Sequence, residues 1–416
     1  MSDKLFLRNT KQNLMEAIED TPVVLIHGSR QCGKTTLAKS VGEALGYAYI
    51  TFDDENQLGA AKADPVGFVK SLPEKAILDE IQRVPELFLS IKDSVDANRI
   101  PGRFILTGSA NVLLLPKLSD SLAGRMEIIH LRPLAQCEIT GSKPNFLASL
   151  FSESLLSGAG GTNQKTNALG RSLADIIVKG GYPAAVNRSS AKRRNVWYRD
   201  YITTILQRDI KDLANIKNAN VLPKLLSLAA SQTGRLFNSS ELASPFSISR
   251  PTVREYLALL EQIFLIEELA PWHSNRLSRL IKTPKLHLSD TGLASSLLGI
   301  NADELWKDKE LLGQLLETFI YQELRKHAGW YDEDLKFYHF RNKDKVEVDI
   351  LIEKGRLKAG IEIKAAATVK PSDFKGIIRL KEACKGDFAG GVVFYDGEQV
   401  LPFGDKLYAV PISLLT

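Results

Sequence analysis

The stretch that most limits what this chain can become is VVLIHGSRQCGKTTLA, residues 23–38: an apolar strand pattern, a glycine-bracketed turn, then helix-forming residues. Gly28, Gly33, Lys34 and Thr35 satisfy G-x-x-x-x-G-K-[ST] and lie between the buried-strand pattern of Val23 to Ile26 and a helix starting near Lys34. Glycines there let backbone N–H groups curl around phosphate oxygens, and the helix start adds partial positive charge. Lys34 is placed to neutralise the β- and γ-phosphates and Thr35 to ligate Mg²⁺, with Thr36 beside them in the nucleotide-binding set. The turn is expected to hold a nucleoside triphosphate, ATP with Mg²⁺, and the fold class is α/β. Cys32, inside the loop, reads as a small filler.

KAILDEIQ is a second strand pattern, expected beside the first, and it ends in Asp79 and Glu80. Asp79 suits the Mg²⁺ shell, and Glu80 suits the general base that polarises attacking water. A third strand, GRFILTGSANVL, exits with Thr107, Ser109 and Asn111, any of which would reach the γ-phosphate or its water. In SLAGRMEIIHLRPL, Arg125 follows a short helical pattern and a glycine; it is either delivered to phosphate charge or a surface arginine in a turn.

Over residues 1 to about 140 these motifs together resemble the AAA+ ATPases, within a prokaryotic group of predicted ATPases that carry a C-terminal domain of unassigned function. GxRQxGKTT, DEIQ, LTGS and LAGR recur in that group as they stand here. The resemblance implies a P-loop AAA+ domain with a parallel sheet. It also implies that Arg125 is an arginine finger toward a neighbouring subunit, and hence that the active form is a ring or other homo-oligomer.

With 416 residues, 44% hydrophobic and 25% charged, the chain has room for two or three cores, which excludes disorder and fibre. The expected division is an ATPase domain at 1–150, a flexible linker or insertion at 151–172, a helical, winged-helix-like domain at 173–305, and a nuclease-like domain at 306–416. A net charge of +5 permits a polyanionic partner without requiring one. Cys32, Cys137 and Cys384 are too few and too scattered for a disulfide framework or a metal site, and the six histidines show no ligand spacing. MSDKLFLRNT lacks a signal pattern and no apolar run approaches the roughly 20 residues of a membrane span, so the expectation is a cytoplasmic protein with no membrane partner.

In the middle, GGYPAAVNRSSAKRRNVWYRDYITTILQRDIKDLANI reads as a turn and a long helix. Arg188, Lys192, Arg193, Arg194, Arg199 and Arg208 outnumber Asp200, Asp209 and Asp212, and Trp197, Tyr198 and Tyr201 interleave with them. That mixture is either a grip on a phosphate backbone with stacking on bases, or a solvated face over an aromatic core stripe. LFNSSELASPFSISRPTVREYLALLEQIFLIEELAPW suggests a helix-turn-helix or winged helix: Ser239, Ser240 or a neighbour caps the first helix, Ser249 and Pro251 open the second, and Phe264 to Leu269 form a strand. If the module reads DNA, Ser249, Arg250, Thr252 and Arg254 sit at the presenting end; otherwise it serves as a hinge or protein contact. The DNA candidates are Arg193, Arg194, Arg250 and Arg254.

Toward the end, LLGQLLETFIYQELRKHAGW is an amphipathic helix bearing Glu317. Alternation in KVEVDILIE puts Glu347 and Asp349 on one strand face, and AGIEIKA puts Glu362 and Lys364 together. Carboxylates on adjacent strands can share Mg²⁺: Asp349 and Glu362 bind the cation, Glu317 completes the shell, and Lys364 activates water. From about residue 310 onward this resembles the PD-(D/E)XK nucleases, whose helix glutamate, strand aspartate and E-x-K match Glu317, Asp349, Glu362 and Lys364. The resemblance implies a mixed α/β, restriction-endonuclease-like domain that either cleaves nucleic acid or only binds it. The function expected of the whole is ATP hydrolysis by a protein acting on DNA; the rival is a nucleotide-dependent protein-binding switch with a silent C-terminal domain.

Overall fold

The computed structural model describes residues 4–109, 122–143, 146–152, 166–213, 220–246, 248–273, 283–331 and 334–416. Asn111 lies outside them, as do the side chains of Arg208, Asp209 and Asp212. The chain divides into two compact units, Met1–Leu134 with Gln262–Phe264, and Ala135–Glu261 with Leu265–Thr416.

In the first unit β1 (Val23–His27), β2 (Ala48–Thr51), β3 (Ala76–Asp79), β4 (Phe104–Gly108) and β5 (Met126–His130) form a parallel sheet in the order β2-β3-β4-β1-β5. Alternate residues of the central strands enter two separate cores: Val23, Leu25, Phe104 and Leu106 pack on one face, and Val24, Ile26, Ile77 and Ile105 on the other. A strand buried on both faces has no polar side, so its sequence is an unbroken apolar run. The expected adjacency of the KAILDEIQ strand to β1 is corrected, because β4 lies between them. All the same, parallel pairing brings the C-terminal ends of β1, β3 and β4 to one edge.

The second unit holds an antiparallel sheet of β6 (Arg235–Leu236), β7 (Ile266–Leu269) and β8 (Lys285–Leu288), ordered β6-β8-β7. Its larger sheet comprises β9 (Leu335–Arg341), β10 (Glu347–Lys354), β11 (Leu357–Ile363), β12 (Phe388–Tyr395), β13 (Leu401–Gly404) and β14 (Leu407–Pro411), ordered β13-β14-β12-β11-β10-β9. Pairing is antiparallel from β9 to β11 and parallel from β11 through β12 to β14. Helix Lys309–Ala328 carries Glu317.

Three expectations change here. The first unit ends at Leu134 instead of near 150: helix Phe146–Phe151 buries Phe146, Leu147 and Leu150, with the Phe146 ring 4.8 Å from that of Phe394, and Gln136 N donates to Glu323 at 2.8 Å. The linker expected over 151–172 does not extend over 166–172, since Thr166 N donates to Glu398 O, Leu169 N and Gly170 N donate to the Asp396 carboxylate, and a helix starts at Arg171; residues 153–165 lie outside the described residues. In helix Ala191–Leu213 the aromatics point inward: Tyr198 is fully buried and donates to Lys179 O and Asp290, and Trp197 stacks on Tyr201 at 4.9 Å. Tyr198 and Tyr201 are core, and Trp197, half-buried, lies against Tyr201. No described helix is long and apolar enough to cross a membrane.

Candidate functional site

The loop after β1 turns sharply because its path runs against Leu131. Leu131 N donates to His27 O at 2.8 Å, and a Cβ at Gly28 would lie 2.0 Å from Leu131 O, so only glycine fits. Cys32 is buried and donates to the same carbonyl at 3.3 Å. Gly33, at φ 105, starts helix Lys34–Gly42. The Lys34 ammonium folds back onto its own loop, donating to Gly28 O at 3.0 Å and Ser29 O at 2.8 Å. Thr36 is exposed in the first helical turn.

Asp79, at the end of β3, is surrounded by hydroxyls. Thr35 Oγ1 donates to its Oδ1 at 2.8 Å, Tyr49 OH to its Oδ2 at 2.8 Å, and Thr107 Oγ1 also donates to Oδ1. Burial, then the hydrogen bond to Asp79, raises the Tyr49 phenol to about 12, so it stays a donor. Glu80 adopts φ 58, a left-handed conformation that costs a non-glycine residue roughly 1–2 kcal/mol. Its carboxylate is held by Ser109 Oγ at 2.9 Å and by Gln82 Nε2, which also donates to Ser109 at 3.0 Å. Lys34, Thr35, Asp79, Glu80, Thr107 and Ser109 thus come together at one edge of the sheet.

Arg125 does not join them. It precedes β5, where its carbonyl accepts from Val23 N, at the opposite end of a strand pair about 15 Å long. Its guanidinium makes two bonds to Asp96, at 2.5 and 2.9 Å. A role in its own subunit's pocket is therefore excluded.

Two contributors escaped sequence reasoning. Arg8 donates to Cys32 O and to Arg132 O, both at 2.7 Å, bracing the loop from behind. Gln82 orients Glu80; its place two residues after that glutamate was the available signal. Under the loop, burial and then the charges of Lys34 and Arg132 push His27 down to about 4, keeping it neutral.

A second charged cluster lies in the other unit. Glu317, Asp349, Glu362 and Lys364 do converge, but around a residue the sequence never suggested. Lys285, 4% exposed on β8, places its ammonium 2.6 Å from Glu317 Oε1 and 3.2 Å from Asp349 Oδ1. Lys364 donates to Glu362 Oε1 at 2.8 Å, and Ile363 N donates to Asp349 Oδ2 at 3.0 Å. Glu347, two residues before Asp349 on β10, pairs with Arg341 at 3.0 Å instead of joining the cluster. Burial would push Lys285 down, but Glu317 and Asp349 outweigh it and hold the ammonium above the ordinary lysine range. Burial pushes Glu317 up to about 8 against the pull of Lys285; burial and the charge of Asp349 push Glu362 to about 8 as well. Glu362 Oε2 is buried without a hydrogen-bond partner, and the raised proton affinity suits an oxygen that carries its own hydrogen. The expected metal role of Glu317, Asp349 and Glu362 does not fit while the Lys285 ammonium bridges Glu317 and Asp349, and no metal-holding group of His, Cys, Asp or Glu is formed among the described residues.

Of the proposed DNA contacts, Arg193, Arg250 and Arg254 are exposed and Arg194 is half-buried. Asn238, one residue before the serines expected to do so, caps helix Ser239–Ala243 by accepting from Ser240 N, and Ser249 caps helix Arg250–Gln262 through Thr252 N.

An uncharacterized protein of Mycobacterium tuberculosis is 30% identical over 408 residues, covering 97% of this chain and 83% of the relative, and one of Mycobacterium bovis matches to the same extent. The chain belongs to their family. Residues 20–140 match the AAA domain, residues 170–304 a domain of unknown function (DUF8612) and residues 312–415 another (DUF4143). The first unit is thus a P-loop domain of the AAA type, a fold that binds nucleotide. Among solved structures, the Walker-type ATPase PABY2304 of Pyrococcus abyssi is similar at 16% identity and a TM-score of 0.47, over 71% of this chain and 97% of that one.

Proposed function

We propose that this protein is a Mg²⁺-dependent ATPase. The observation that carries the reading is the meeting of Lys34, Thr35, Asp79 and Glu80 at one edge of a parallel sheet, with Thr35 and Asp79 in direct hydrogen bond at 2.8 Å. Loop amides from Gly28 to Gly33 and the first turn through Thr36 wrap the phosphates, and Lys34 exchanges its two carbonyl partners for phosphate oxygens. Thr35 and Asp79 offer the hard oxygen donors that would hold Mg²⁺, which when bound neutralises phosphate charge. Glu80 accepts the proton of the attacking water while Ser109 and Gln82 fix its direction. Thr107 holds Asp79 and, through the Glu80 amide at 3.2 Å, the strained turn as well. Arg125, far from its own pocket, acts if at all on a neighbouring subunit. ATP turnover by the purified chain tests the reading, and turnover unchanged in Lys34→Ala would refute it.

The reading extends to DNA. The order helix Val221–Ser231, β6, two helices, β7, β8 supports a winged helix, and Arg250 and Arg254 stand exposed where its second short helix begins. The helix glutamate, strand aspartate and E-x-K on neighbouring strands support a nuclease-like C-terminal segment. DNA binding at low salt, with stimulation of ATP turnover, is the expected result; indifference to all DNA would favour the nucleotide-dependent protein-binding switch. Lys285 among the acids favours a C-terminal segment that does not cut.

A further inference from the structure

The acidic cluster already contains a cation. We propose that the Lys285 ammonium is the resident positive charge of the Glu317, Asp349, Glu362 and Lys364 cluster, standing where a nuclease-like site would hold a divalent metal, so that the cluster takes up no Mg²⁺ or Mn²⁺. This stands on the five side chains alone and is independent of the ATPase and DNA readings.

The position of Lys285 is fixed on every side. Its backbone pairs with Leu236 of β6 and Leu269 of β7, so β8 is the central strand of its sheet, and all four of its residues are buried. The chain just before it is anchored too: Phe237 N donates to Pro284 O at 2.8 Å, and His339 Nε2 lies 3.1 Å from Thr283 O. With 5% of the side chain exposed, the ammonium is largely shielded from water. Its two carboxylate contacts are on different elements, the helix of Glu317 and the strand of Asp349, so it occupies the bridging point between them. A magnesium ion sits about 2.1 Å from its oxygen ligands. Bound to these same oxygens it would lie almost in contact with the ammonium, and in a buried setting that repulsion is barely screened.

Lys285 bridges Glu317 and Asp349, and Lys364 pairs with Glu362, so every carboxylate already has a lysine partner and nothing is left to draw in a dication past a resident ammonium. Removing the Lys285 charge leaves three carboxylates with one lysine and a space the ammonium had filled, which is a ligand set for one dication.

Manganese titration of the full chain without nucleotide tests this, using Asp79→Asn throughout to remove the P-loop carboxylate. That chain is expected to bind no Mn²⁺, and adding Lys285→Arg, which keeps the charge, leaves it silent. Adding Lys285→Met is expected to raise the stoichiometry from none to one, with loss of that ion when Asp349→Asn is added. Mn²⁺ bound by the Asp79→Asn chain and lost with Asp349→Asn would overturn the proposal, whether or not Lys285→Met folds. A folded Lys285→Met chain that still binds none would overturn it equally.

Discussion

Lysine meets carboxylate at two places in this chain, with opposite outcomes. In the P-loop, Lys34 spends its hydrogen bonds on the carbonyls of Gly28 and Ser29, while Asp79 bonds to the neutral hydroxyls of Thr35, Tyr49 and Thr107. In these bonds neither charge is matched to an opposite one, which is what the proposed exchange for phosphate and metal requires. In the second unit Lys285 bonds to Glu317 and Asp349 directly, and the charges satisfy each other. The same residue types thus leave their charges unmatched in one place and matched in the other, and the lysine's choice of partner decides which.

The sharpest way to break the contrast is Lys34→Ala, which is expected to abolish nucleotide binding and bring ATP turnover to background, a loss of at least about 10²–10³-fold. Glu80→Gln should leave ATP binding intact and slow hydrolysis by about 10²–10⁴-fold; wild-type turnover would remove its role as base. On the other side, Lys285→Met strands buried carboxylates and should cost about 3–5 kcal/mol in denaturant unfolding at neutral pH, with no direct effect on nucleotide affinity. Gln82→Ala should lower kcat by about 10–10²-fold with KM unchanged, since a hydrogen bond to a charged group is worth about 1.5–3 kcal/mol. The last effect is a slope. Glu317 and Glu362, ordinarily near 4.5, are raised to about 8, so the folded state holds extra protons between those values. Stability from these groups is full below about 4.5 and lost as pH rises through about 8; Glu362→Gln should flatten that fall in a pH series of thermal unfolding.

The P-loop was legible because it is local: only glycine passes Leu131 at position 28, and the motif carries its spacing in consecutive residues. Its partners on β3 and β4 were legible as strand ends, but their order was not, since placing β4 between β1 and β3 depends on pairing across many residues. That Arg125 lies away from its own chain's phosphate loop could be read from the sequence. It precedes a strand, whereas the phosphate loop follows one, and parallel strands put those two points at opposite edges. Arg8, bonded across 24 and 124 residues, left no local trace. The aromatic helix had the right period for either reading; burial of Tyr198 chose between them. Lys285 was hidden most completely, as a lone cation in an unremarked strand whose partners lie 32 and 64 residues further on.

That last separation bears on how the protein can be taken apart. Lys285 falls in the segment matched at 170–304, and its acids fall in the segment matched at 312–415. A fragment holding only the later segment would carry Glu317, Asp349 and Glu362 with Lys364 as their sole counter-charge, and any exchange of that segment between relatives would have to deliver a lysine along with it. A cut near residue 305 would therefore part the lysine from the acids it bridges.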